Sequence, residues 1–309
     1  MRGERVGRAG RVAALGCALV LVAATAACTG GDEAGDDAGG PAAPVRTGPA
    51  PTAAGDPPVV ELLSAGAEPR ATLRLTPETG ASTSTRVGLD QRLVSDGTPT
   101  TVPSLTMTVT TTVDGVDGTR LDLGQSFTDV AAGGEGSGAG TRAAVEALDG
   151  ADGRVGLGTD GVVLSASLGL PEDVEPAVRR TVDGLRDQVL ALTPVLPSEP
   201  VGEGASWSVT SVVVVGGVTV DQTTTYTLDT IADGDYVVDY VLDQEYRPGE
   251  VGRVTLTQGT ASASGRLEGS LGSVVPRRAV GSTSSTVGYR VGGAVTLVES
   301  SVRVELTAS

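Results

Sequence analysis

No histidine occurs in this chain of 309 residues, and all 22 of its basic residues are arginine, none lysine. The missing histidine removes the commonest general base and the commonest metal ligand. A serine–histidine–acid triad therefore cannot be assembled within the chain. Without lysine there is no phosphate-cradling GxxxxGK[ST] loop. The two cysteines are Cys17 and Cys28, so nothing beyond residue 28 can form a disulfide or a thiolate zinc site. Aromatics are few, one Trp, one Phe and five Tyr, too few for stacking platforms for sugars or single-stranded nucleic acid. Positive charge is scarce as well. With 22 basic against 38 acidic residues the net charge is −16, which repels nucleic acid and anionic head groups. Acidic side chains alone are left to carry any chemistry. The expectation is a protein that is not an enzyme, with no catalytic residue, no metal, no cofactor and no nucleic-acid partner.

What is present begins with a leader. Arg2, Arg5, Arg8 and Arg11 form a positive n-region, and residues 12–27 follow as an apolar and small-residue stretch. That stretch is short for a membrane span, which needs about 20 residues, and suits a signal-peptide h-region. It closes on Ala24-Thr25-Ala26-Ala27-Cys28. Small residues before a cysteine resemble the lipobox cut by the lipoprotein signal peptidase, with Thr25 where leucine is usual; the alternative is ordinary secretion after an Ala-x-Ala site. The expected organisation is a signal peptide over 1–27, a lipidated Cys28 heading a tether over 28–58, and a β-rich domain over 59–309. Two acyl chains on Cys28 suffice for stable anchoring, which places the protein at the outer face of a cell membrane. Residues 1–27 carry four arginines and one glutamate, so their removal takes the net charge from −16 to −19. The Gly, Ala, Pro and Asp of residues 29–58 offer almost nothing to bury, the composition of a disordered linker.

From Val59 onward the apolar pattern is mostly of period two. Val218, Val220, Tyr226 and Leu228 alternate with Thr219, Asp221, Thr225 and Thr227, and Tyr236, Val238, Tyr240 and Leu242 repeat this after Asp233-Gly234. Leu105, Met107, Val109 and Val113 do the same, with Leu121, Leu123 and Phe127 beyond the next turn. Such alternation marks antiparallel strands with one dry face and one wet face. Asp-Gly pairs at 114–118 and 233–234 are the expected turns. One segment departs from the pattern. Val174, Val178, Val182, Leu185, Val189 and Leu192 fall at spacings of four and three, the stripe of an α-helix over about 172–193. Pro171 opens it, Glu172 and Asp173 favour its positive end, and Pro194 stops it. A shorter helix is expected over Arg142–Leu148, capped by Thr141 and closed by Gly150.

The two halves also read alike. Gly80-Ala81-Ser82, a Thr-rich strand and Asp117-Gly118 are echoed by Gly204-Ala205-Ser206, Thr223–Leu228 and Asp233-Gly234. Either the chain is duplicated, or two hairpin sheets written in this composition look alike. The predicted fold is mainly β with one long helix, a curved antiparallel sheet or half-barrel of some ten strands with the helix on its concave face.

The stretch from Leu196 to Trp207, LPSEPVGEGASW, resembles the LPxxPVGxGAxW centre of actinobacterial lipoproteins that carry a domain of unknown function. The likeness covers most of residues 60–309 and brings no catalytic residue with it. In architecture alone the chain is similar to lipid-carrier lipoproteins of the LppX and LprG type, half-barrels that hold lipid against a concave sheet; that likeness is an analogy of shape.

Other constellations have structural readings. The glycine run Gly134–Gly140 mimics a phosphate loop but has no βαβ unit behind it. Asp149, Asp152 and Asp160 fit no EF-hand spacing and read as turn residues. Asp239, Asp243 and Glu245 fall on the wet face. The sharper functional expectation is an apolar or lipid ligand held between sheet and helix, in a pocket lined by Val174, Val178, Val182, Leu185, Val189, Trp207, Tyr226, Tyr236 and Tyr240. The alternative is that helix and side chains fill this space, leaving a structural or protein-interaction module of the cell envelope. For Trp207 and the tyrosines a core role competes with a ligand role throughout.

Overall fold

The computed structural model describes residues 57–133, 139–172, 174, 178–179, 182, 193–215, 218–251, 254–291 and 294–308. Cys28, the leader, residues 29–56 and the glycine run at 134–138 lie outside these, as do Leu185, Val189 and most of the predicted 172–193 helix. In chain order the elements are β1 (Val59–Ser64), β2 (Ser82–Ser95), β3 (Thr98–Thr101), β4 (Ser104–Asp117), β5 (Arg120–Gly133), α1 (Ala139–Leu148), β6 (Asp152–Gly158) and β7 (Val163–Gly169). The second half continues with β8 (Ser206–Val215), β9 (Val218–Ala232), β10 (Asp235–Tyr246), β11 (Gly249–Val251), β12 (Val254–Ser270), β13 (Arg278–Val291) and β14 (Ala294–Ala308).

The fourteen strands form one sheet, in the order β1-β8-β9-β10-β12-β13-β14-β2-β4-β5-β6-β7, with β3 beside β2 and β11 beside β12. The expected ten strands are thus too few. The alternation was hardest to see at the C-terminal end, where the inward positions of β12 and β13 include Gly259, Ala261, Ala263, Gly265, Ala279 and Ser285 rather than large apolar residues. The sheet is curved and not closed, since β1 and β7 end the order without pairing to each other.

Both expected Asp-Gly turns are present, the first at the far end of its stretch. Asp233 and Gly234 both take positive φ between the paired Ala232 and Asp235, the two-residue turn that matches strand twist. Gly118 turns the β4–β5 hairpin between Asp117 and Arg120, whereas Asp114-Gly115 lies inside β4 at a register shift. A third Asp-Gly turn, Asp96-Gly97, also has positive φ at both residues and joins β2 to β3. It was legible by the same rule. α1 starts three residues before the expected Arg142, so Thr141 sits in its first turn; Gly150 closes it, with φ of 80°.

The two halves are laid out alike in strand order and in the hydrogen bonds at their starts. The successions β2-β4-β5-β6-β7 and β8-β9-β10-β12-β13 are two meanders of five strands, joined edge to edge through β14. At the start of the first, Gly80 N–H donates to Val113 O and Val113 N–H to Ala81 O; at the start of the second, Gly204 donates to Leu228 O and Leu228 to Ala205 O. Gly80 and Gly204 have φ of 85° and 76°.

Candidate functional site

The curved sheet turns its apolar residues inward, where they gather into three clusters. The first joins β2, β4, β5 and β14 to α1 and to Val178 and Val182, both helical and at 7% and 0% exposure. The stripe predicted for the long helix therefore faces the inner side of the sheet at the two positions where it is described buried. Val174 packs against the same cluster, half-buried.

The second cluster brings the sheet's two ends together. Val60 and Leu62 of β1 and Val163 of β7 pack around Trp207, Tyr226, Tyr236, Leu121 and Leu157. Two connecting segments fill the gap between the ends. Ala71 bridges Val201, Leu75 N–H donates to Thr159 O, Thr76 to Leu271 O, and Leu196 to Asp160 O. These bonds give the connections' backbone groups partners within the protein, and Leu73, Leu75 and Leu196 sit in the cluster.

Trp207 is the centre of this plug. It is fully buried, its ring stacks on Tyr226 at a centroid distance of 5.5 Å, and its Nε1–H donates to Val195 O at 2.7 Å. The surrounding motif is explained by the same packing. Leu196, Val201 and Ala205 are buried. A side chain at Gly202 would collide with the carbonyls of Ala67 and Pro69. These motif positions all pack at the junction.

The tyrosines divide. Tyr226 and Tyr236 lie within the second cluster, and Tyr240 touches both first and second. Burial pushes the Tyr226 hydroxyl up to about 12. It raises Tyr236 and Tyr240 as well. Tyr236 and Tyr240 sit opposite Gly269 and Gly265 across β10 and β12, where a side chain on either glycine would strike the tyrosine ring. The rings lie close over the bare backbone of the two glycines, an arrangement that suits a curved sheet.

The inner face is not uniformly dry, which corrects the expected single dry face. A transverse row pairs Gln222 with Gln244, Gln244 with Ala261, Ala261 with Ser285 and Ser285 with Ser300. Gln244 Nε2 donates to Gln222 Oε1 at 2.8 Å, and the Ser285 and Ser300 hydroxyls are 2.7 Å apart. A second polar group, Thr85, Thr111 and Gln125, lies between the first two clusters. It lines a cavity of about 20 Å³ with Val109, Leu123, Thr193 and Val275 among its walls. Buried polar side chains among the described residues, tyrosines apart, are all amides or hydroxyls.

The outer face is wet, as expected for Asp239, Asp243 and Glu245, which are exposed or half-exposed. Arg266 reaches from β12 to Asp239 at 2.9 Å and also pairs with Asp229. Arg247 holds Asp221 through two bonds of 2.7 and 2.6 Å, which lowers the Asp221 carboxyl below its usual range. Between these ion pairs runs an open groove of about 570 Å³, floored by Thr223, Asp243, Thr260, Ser262, Ser284 and Thr286. Sequence reading did not single it out, because its floor is made only when four strands align in register. Asp149 and Asp160 accept the backbone N–H groups of Val130 and Val162 at 3.2 and 3.1 Å, the roles of turn and loop residues. No described helix is long and apolar enough to cross a membrane, and no cluster of acidic side chains among the described residues is placed to hold a metal ion.

No protein-family model and no curated protein matches the chain.

Proposed function

We propose that the chain is an extracytoplasmic lipoprotein, held at the outer face of a membrane by acyl chains on Cys28, and that its β-rich domain is a non-enzymatic structural or protein-interaction module of the cell envelope. The volume of the inner cavity carries the choice between a filled interior and a carrier. Ligand pockets for apolar molecules run to about 300–1,000 Å³, and about 20 Å³ lies among Thr85, Gln125 and Val275. The interior is occupied by the protein's own Trp207, Tyr226, Tyr236 and Val182. The non-enzymatic reading is supported by where the acids sit: Asp239, Asp243 and Glu245 are on the solvated face, not in a dry cleft of the kind that tunes acidity. The open outer groove, polar and hydroxyl-rich, is the natural surface for a protein partner.

A second reading keeps the interior as a lipid or apolar-ligand site. Its supporting observation is that Val174, Val178 and Val182 pack on the inner face of the sheet, where the helix of a carrier would cover its cargo.

Two experiments test the proposal. Cys28→Ser should move the protein from the membrane fraction to the soluble one and abolish incorporation of labelled palmitate; retention in the membrane would refute the anchor. Native mass spectrometry of the full mature protein from its own envelope should give the bare protein mass plus its acyl anchor. A further apolar mass, removed by organic extraction, would replace the filled module with the carrier.

A further inference from the structure

Three polar side chains on adjacent strands meet inside the apolar interior. Thr111 of β4 is paired directly with Gln125 of β5, and Thr85 of β2 is paired with Val109, the inward neighbour of Thr111. Thr85, Thr111 and Gln125 are exposed by only 2%, 3% and 6%. Thr85 Oγ1 and Gln125 Oε1 are buried with no hydrogen-bond partner among the described residues. Both line the cavity of about 20 Å³. On its far side Thr193 donates its hydroxyl to Val274 O at 3.3 Å, which leaves the Thr193 oxygen able to accept.

A buried polar atom without a partner costs more than a hydrogen bond returns, and such groups are ordinarily met by protein or by ordered water. An internal water needs about 10–15 Å³ of probe-occupied space and two to four polar partners. This cavity supplies both, and it is too small for an organic ligand. We infer that the cavity between Thr85, Gln125 and Thr193 is a built site for one structural water molecule. The bonding is complementary: Gln125 Oε1 accepts one water proton, Thr193 or Thr111 the other, and the Thr85 hydroxyl donates to the water oxygen. The water then ties β2 and β5 to the connection at Thr193, at the seam between the first two apolar clusters. This site does not depend on whether the domain is a module or a carrier.

A crystal structure of the full mature protein at about 1.8 Å tests the assignment, with a second structure of Thr85→Val. The expected result is one isolated peak of density within about 2.7–3.2 Å of Thr85 Oγ1 and Gln125 Oε1, weakened or lost in the variant. Should the variant not fold, water-to-amide cross-relaxation in the wild-type protein reports the same long-lived water. An empty cavity with Gln125 turned to a protein donor would overturn the inference. Elongated density continuing into an apolar chain would overturn it too, by making the site the polar end of a bound amphiphile.

Discussion

Trp207 concentrates the packing argument in one side chain. Its ring is fully buried between connection and sheet, so Trp207→Ala should cost about 3–5 kcal/mol, as large-to-small changes of buried aromatics do. Trp207→Phe keeps a ring against Tyr226 but strands the Val195 carbonyl, at about 1–3 kcal/mol. Urea unfolding followed by far-UV circular dichroism reads both, since the probe must survive loss of the single tryptophan. The tyrosines make a separate expectation. Burial raises Tyr226 from 10.0 to about 12 and raises Tyr236 and Tyr240 in the same direction. A hydroxyl whose folded pKa lies above its unfolded value contributes stability fully present below the unfolded pKa, and that contribution is lost as pH rises through the folded one. Stability should therefore be insensitive to these groups from pH 7 to 9 and fall between about pH 10 and 12, by at most about 1.4 kcal/mol per pH unit for each tyrosine. Urea midpoints at stepped pH check this; a flat profile up to pH 12 would mean the rings are wet. The inward side of these residues was legible from parity. Their partners were not, because the glycines that receive Tyr236 and Tyr240 lie on a strand without apolar alternation.

Among the elements, β10 and β12 show how the bend is made. Gly265 and Gly281 leave room for the Tyr240 ring and hydroxyl, and a side chain at either would collide with them. Gly281→Ala should destabilise by about 1–3 kcal/mol through overpacking. The contact at Gly281 is chiefly with the Tyr240 hydroxyl, so in a Tyr240→Phe background the same change should cost less. A double-mutant cycle measures that coupling, and strict additivity would show that the ring moves aside. The hairpins were readable wherever Asp-Gly stands between alternating strands, as at Asp233-Gly234. Within 114–118 the turn is Asp117-Gly118, while the same dipeptide at Asp114-Gly115 lies at a register shift inside β4, and only the register of β4 against β5 distinguishes the two. The polar row through Gln222 and Gln244 had left a trace, since positions 222 and 224 interrupt the apolar parity of β9.

For the molecule as a whole, β14 is the strand on which the sheet depends. It alone joins the meander ending in β13 to the one beginning in β2, and it pairs with both along most of its length. Removing residues 294–308 should leave two unjoined sheets with fresh edges, seen as loss of the cooperative thermal transition and as aggregation. Removing residues 57–64 takes away only the edge strand β1, so a lower but still cooperative melting transition is expected. Equal damage from both truncations would argue against the central place of β14.

Local chemistry read in one dimension accounts for much of this protein. The period of two, the Asp-Gly turns, the placing of acids on the wet face and the inward side of Val178 and Val182 follow from side-chain periodicity and backbone preference, which act over a few residues. The meeting of β1 with β7 around Trp207, the role of β14 and the hydroxyl groove could not be read in that way. So too with the size of the interior: each depends on which distant strands lie side by side and how far the sheet bends. The rings of Tyr236 and Tyr240 lie against glycines on neighbouring strands, a relation between positions 25 to 41 residues apart in the chain. Whether an inward apolar face becomes a pocket or a packed core is a matter of volumes summed over many strands, and no stretch of one strand carries that sum; the cavity among Thr85, Gln125 and Val275 holds about 20 Å³.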